Sequence, residues 1–293
     1  MNLSKNKSLI LLHIIIVIWG FTGILGKMIN LQSEAIVWNR MTIAFISLIA
    51  ITIFAKKSLK VNTKNFTKYC LIGFFIAIHW ICFFEAIKLS TVSLALVCLS
   101  SVSLFTAILD PLIQNKRILT YEILLSLFVI LGITIVFNNE THYSNAIILS
   151  IVSAFFAALF TVLNHQLIQN NHKAINITTW EMFGGAGIMT LYLIFNNQLN
   201  LSILPTGKDI IYIIILALVC TSFAFYASIE VMKKIKPFTV NLSVNLEPIY
   251  TIILAVIIFG DEEKMSLGFY LGAVIILISI LINTIIKQKK NKF

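Results

Sequence analysis

Two opposite charges interrupt long apolar runs in this 293-residue chain, Arg40 and Glu247. A charge at membrane depth costs about 2.5–3.5 kcal/mol on insertion scales, so each is a candidate for function. Glu247 is followed by Pro248, and proline lacks a backbone donor and clashes with the carbonyl four residues back. The carbonyl freed in this way is that of Val244, which is then open to a solute or an ion. Asn241, Asn245 and Pro248 stand at i, i+4 and i+7 on one helical face, and Glu247 borders that face. The pattern reads as a polar substrate-binding site at a kinked helix. Glu247 is the candidate for exchanging a proton or for contacting a substrate amine. Arg40, beside Trp38 and Asn39, has the fork of donors that binds a carboxylate bidentately. It could equally pair with Glu247 or Glu181, or snorkel toward a membrane surface. Glu181 and Glu230 themselves read as interfacial or structural.

Aromatic and imidazole side chains extend the candidate site. Trp19, Trp38, His79, Trp80, Trp180 and Tyr250 could line a cavity, although tryptophan and tyrosine also collect at membrane interfaces. No P-loop, HExxH or GxSxG is present, so neither an ATP-driven cycle nor a standard catalytic centre is indicated. The four cysteines, Cys70, Cys82, Cys98 and Cys220, lie in apolar runs without CxxC spacing. Neither a zinc site nor a disulfide is expected from them, and no cofactor is implied.

The elements that must carry these residues follow from composition. The chain is 59% apolar and 12% charged, against about 45–50% and about 25% in soluble domains. A membrane helix needs about 20 mostly apolar residues, and the apolar runs are continuous rather than alternating, which argues against a β-barrel. The expectation is an all-α membrane protein with ten transmembrane helices, near 8–29, 35–55, 68–88, 91–113, 119–138, 143–166, 176–195, 209–231, 237–259 and 266–286. With the N-terminus placed in the cytoplasm, the inner segments hold 17 Lys and Arg and the outer ones 4, namely Lys27, Lys88, Lys208 and Lys264. The positive-inside rule then puts both termini in the cytoplasm. The net charge of +10 reads as membrane orientation, with the lipid bilayer rather than nucleic acid as partner. Heavy use of Ile, Asn and Lys fits an AT-rich bacterial genome, hence a bacterial cytoplasmic (inner) membrane.

The two halves repeat weakly. Thr91-Val92-Ser93-Leu94 has a counterpart in Thr239-Val240-Asn241-Leu242, and Trp38 and Trp180 each sit near the start of a helix. Dividing the chain into 1–140 and 141–293 gives five helices per half, and an odd number turns the second half upside down in the membrane. Inverted repeats with a site at their interface are a transporter arrangement.

The chain resembles the drug/metabolite transporter superfamily, specifically EamA-type exporters with two five-helix repeats. Trp19-Gly20, Arg40 and Ala86 carry the resemblance in the first half. In the second half the carriers are Pro237, Asn245-Leu246-Glu247-Pro248, Phe259-Gly260-Asp261-Glu262 and Gly272. The first half departs from the family where Ser100, Ser101, Val102 and Ser103 stand in place of a common proline. The resemblance implies export of small metabolites or amino acids by alternating access. The expected function is a secondary transporter for a small metabolite or amino-acid-like substrate, either proton-coupled or uncoupled. An intramembrane lipid-modifying enzyme and a non-transporting scaffold are the alternatives.

Overall fold

The structure, a computed structural model, describes residues 5–115, 117, 120–235, 243 and 246–290. Among them there is no strand. The helices are α1 (Lys5–Met28), α2 (Ser33–Phe54), α3 (Thr63–Leu89), α4 (Val92–Leu99), α5 (Val102–Ile113) and α6 (Thr120–Asn139) in the first half. The second half has α7 (Ser144–Gln169), α8 (Ala174–Phe195), α9 (Lys208–Ala217), α10 (Ala224–Val231), α11 (Glu247–Phe259) and α12 (Leu267–Lys290). Six stretches are long and apolar enough to cross a membrane: Asn6–Met28, Ser33–Phe54, Thr63–Leu89, Val92–Ile113, Thr141–Gln169 and Lys208–Val231. Phe128–Asn139 and Leu267–Ser279 are shorter apolar helices.

Among the described residues the helices fall within a few residues of the expected positions, and local chemistry explains two departures. The third helix starts at Thr63, ahead of the expected 68, because the Asn62 side chain accepts the Asn65 backbone N–H at 2.8 Å and caps the end. The stretch expected at 91–113 as one helix is divided. Between Leu99 and Val102 the backbone tightens, with Ser101 N–H donating to the Cys98 carbonyl at 3.1 Å. Three serine hydroxyls bond the backbone there: Ser100 to Leu96, Ser101 to Cys98 and Ser103 to Ser100. Side-chain bonds of this kind compete with the helical ladder and let it break without proline. Of the helix expected at 237–259, α11 is described from Glu247, with Pro248 in its first turn. Proline is well tolerated there, since its missing N–H would have no helical acceptor. Asn241, Asn245, Val244 and Pro237 lie outside the described residues.

α9 and α10 form one rod joined by a wide π-helical turn, Leu218–Phe223. The Thr221 and Ser222 hydroxyls donate five residues back, to Leu216 at 2.8 Å and Ala217 at 3.0 Å.

The packing is reciprocal. α3 packs on α7 and α8, while α9 and α10 pack on α1 and α2. The α4–α5 rod lies on α7, and α11 lies on α1. Three further pairs join the halves: α2 with α8, α6 with α12, and α4 with α11. Where α6 crosses α12 a Cβ on Gly132 would lie 2.8 Å from the Gly272 carbonyl oxygen, and one on Gly272 would lie 2.6 Å from that of Gly132. Only glycine at both positions lets the two backbones come this close. The outward faces are apolar, with Ile46, Phe54, Leu131, Ile257, Leu271 and Ile278 all exposed. So wide an apolar exterior suits lipid rather than water.

Candidate functional site

A cavity of about 130 Å³ lies inside the bundle, roughly ten times the space one water molecule needs. Its wall draws on both halves. α1 gives Trp19 and Thr22, α2 gives Arg40, and α3 gives His79, Trp80 and Phe83. The serine break and α5 add Ser100, Ser103 and Thr106. From the second half come Phe160, Thr161 and Asn164 of α7, Phe225 and Ser228 of α10, and Glu247 and Pro248 of α11. The α4–α5 break and the start of α11 therefore both open onto the same space.

Arg40 is held from several sides. It is 1% exposed, so it does not snorkel to a surface. Its Nε donates to Thr221 Oγ1 at 2.5 Å and its Nη2 to the Cys220 carbonyl at 3.4 Å. Both acceptors belong to the π-helical turn, whose altered ladder presents groups that a regular helix would occupy internally. The guanidinium lies over the Trp80 ring, 3.7 Å from its centroid, with Phe84 at 5.8 Å. Nη1 has no hydrogen-bond partner among the described residues. Glu247 is its electrostatic neighbour, yet no ion pair joins the two side chains. The site thus holds a cation and a carboxyl group in one cavity without neutralising one against the other by direct contact.

Other polar atoms behave in the same way. Trp19 Nε1 and Asn164 Oδ1 are buried without a hydrogen-bond partner. His79, by contrast, is anchored to α7, with its Nδ1 2.7 Å from Ser153 Oγ and 3.0 Å from the Ser153 carbonyl. Aromatic rings complete the wall: Phe225 meets Trp19 edge-on at 5.8 Å and Trp80 at 5.4 Å.

Six of the residues expected at the site converge on the cavity: Trp19, Arg40, His79, Trp80, Glu247 and Pro248. Three do not. Trp38 donates from Nε1 to Thr190 Oγ1 at 2.9 Å, packed between α2 and α8. Trp180 donates to the Leu59 carbonyl at 3.2 Å. Tyr250, half-buried on α11, is not part of the wall. Each tryptophan has its polar edge satisfied away from the cavity. Glu181 is fully buried rather than interfacial, beside Asn164. Sequence reading missed Thr221, Asn164, Phe160 and Phe225. The serine run at 100–103 inside an apolar stretch was a usable signal for the α4–α5 break.

One end of the bundle is tied shut. The buried Glu263 carboxylate accepts the backbone N–H groups of Val92 at 3.1 Å and Ser93 at 2.8 Å, capping α4. Lys27, at the end of α1, pairs with the same carboxylate at 3.0 Å and with Glu262 at 3.1 Å. Asp209 accepts the Asn30 N–H at 3.1 Å, Lys88 donates to the Ile29 carbonyl at 3.1 Å, and Glu140 accepts the Ser266 N–H at 2.9 Å. All of these except the Lys88–Ile29 bond, which lies within the first half, join the first half to the second. The cavity wall instead reaches Asn164 and Met232, near the finishing turns of α7 and α10.

An apolar helical bundle whose halves share a mainly apolar cavity holding one arginine and one glutamate is the build of a membrane carrier. The chain belongs to the EamA-like transporter family, whose sequence profile matches it twice, over residues 6–138 and 144–285. Its members are multi-pass membrane transporters rather than enzymes. A solved crystal structure superimposes with a TM-score of 0.69 over 98% of this chain and 99% of that one, at 14% identity, and so shares the fold. A search of the curated proteins found no match.

Proposed function

We propose that this protein is a secondary transporter that exports a small metabolite or amino-acid-like solute by alternating access. The observation that carries the reading is the cavity shared by both halves, in which Arg40 and Glu247 stand near each other unpaired. A solute with a carboxylate and an amine complements that arrangement: the carboxylate meets Arg40 Nη1 and the amine meets Glu247. The aromatic rings of Trp19, Trp80, Phe160 and Phe225 would cover its apolar part. Glu247 is also the group best placed to exchange a proton with the cavity, which would couple efflux to the proton gradient.

The architecture in this reading is ten membrane spans in two inverted repeats, with the boundary between residues 140 and 141. The α4–α5 rod counts as one span, as does the α9–α10 rod. Reciprocal packing of the halves supports the repeat, since each half lends its third and fourth spans to the other. Both termini lie in the cytoplasm of a bacterial cell, and the end tied by Lys27 and Glu263 faces outward. The conformation described is then closed outside, with its cavity reaching toward the cytoplasm. Breaking the outer contacts while closing the inner end would carry solute across.

The test is a metabolite uptake and efflux screen in proteoliposomes with an imposed proton gradient. Solute flux that depends on Arg40 supports the reading. Product formation from lipid without flux would point to an intramembrane enzyme, and neither outcome would leave a scaffold.

A further inference from the structure

Residues 56–68 carry Lys56, Lys57, Lys60, Lys64 and Lys68 and no acidic residue. All five lysines are exposed. Lys64 and Lys68 stand four apart on α3 and share a face, opposite that of Phe66. The loop between α7 and α8 joins this corner with His172 and Lys173. The Tyr69 hydroxyl lies 2.5 Å from His172 Nδ1, and Lys68 is an electrostatic neighbour of the imidazole. Among the described residues, none of these six lysines forms an ion pair. The arrangement differs elsewhere: Lys27, Lys233 and Lys264 each pair with a carboxylate.

An apolar plate adjoins the lysines. Phe45, Phe66, Trp180 and Phe183 form a connected ring cluster with contacting centroids 5.1 to 6.5 Å apart. It spans α2, α3 and α8, and Phe183 is 40% exposed. Trp180 Nε1 holds the Leu59 carbonyl, so the plate and the lysine loop are fixed to each other. Membrane orientation requires only positive charge near the ends of the spans. It does not require that the charged loop be pinned to an exposed aromatic surface.

We propose that this corner is a binding site for one anionic phospholipid. Lys56, Lys57 and Lys60, in the loop pinned through Leu59, would hold the phosphate, while the glycerol and upper acyl chain lie along Phe66, Trp180 and Phe183. Charge complementarity selects the headgroup, and rings at headgroup depth suit the amphipathic region beneath it. A free phosphate would gain nothing from the aromatic plate.

The experiment is native mass spectrometry of the delipidated full-length protein, titrated with phosphatidylglycerol, phosphatidylcholine of the same acyl chains, or inorganic phosphate. One phosphatidylglycerol should be retained in preference to phosphatidylcholine. The triple change Lys56→Gln, Lys57→Gln, Lys60→Gln should weaken retention about fivefold per lysine, and the matching Lys→Arg triple should keep it. Neutralising Lys287, Lys289 and Lys290 should leave it unchanged. Phe183→Ala, which keeps every lysine, tests the plate separately and should shorten retention. Equal binding of the two lipids overturns the proposal. So does wild-type retention in the glutamine triple or in Phe183→Ala, or displacement of the lipid by inorganic phosphate at equal concentration.

Discussion

The Arg40 guanidinium lies 3.7 Å from the centroid of the Trp80 ring, on the wall of a cavity that also holds Glu247. A desolvated cation over an indole face is worth about 2 kcal/mol or more. Trp80→Leu should therefore lower thermal stability in detergent well beyond Trp80→Phe, with the difference read from paired melting curves. Arg40→Lys should fail to restore transport, because an ammonium cannot bond Thr221, reach the Cys220 carbonyl and stack on Trp80 at once. Full flux in Arg40→Lys would show that only the charge matters.

Glu247→Gln keeps the side-chain shape and should leave the protein inserted and monodisperse. Flux should fall at least tenfold, or its dependence on pH should flatten. Efflux at wild-type rate with an unchanged pH profile would remove Glu247 from the mechanism.

Glu263 caps two backbone N–H groups of α4 and pairs with Lys27. Removing a buried carboxylate that holds a cation costs about 3 kcal/mol. Glu263→Ala should loosen the tied end. A cysteine placed at Ser93 should then react faster with a membrane-impermeant thiol reagent than it does beside the native Glu263. Equal labelling rates in the two backgrounds would count against a gate at this position.

Gly20 of α1 sits against Thr251 of α11, and a Cβ there would fall 2.7 Å from Thr251 Oγ1. Gly20→Ala should cost about 1–3 kcal/mol through overpacking. Thr251→Ala removes the offending hydroxyl, so the double variant should recover most of the loss. Additive losses in a double-mutant cycle would show that the two sites do not press on each other.

Long apolar runs made the helices legible, because hydropathy alone separates a membrane-length rod from a loop. Helix ends were less legible, as Asn62 illustrates, since a cap depends on one side-chain bond. Serines 100, 101 and 103 break a rod through local hydroxyl bonds that hydropathy averages away. Arg40 and Glu247 stood out because buried charges are rare. Thr221, the acceptor for Arg40, did not, since the two lie 181 positions apart and meet only through tertiary packing. Trp38 and Trp180 were misplaced for a related reason: a tryptophan in an apolar run satisfies its N–H wherever an acceptor happens to be, and only the packed structure shows where.

The reciprocal packing also bears on how the protein is made. While only the first half has emerged from the ribosome, α3 has neither α7 nor α8 to lie against, and α1 waits for α10 and α11. Insertion of the spans must therefore run ahead of their final assembly, with the early helices held loosely in lipid until the last third of the chain arrives. Expressed alone, residues 1–140 should enter the membrane yet remain open to proteolysis. Co-expression with residues 141–293 should restore resistance, making the native state a pact between two halves that neither can reach by itself.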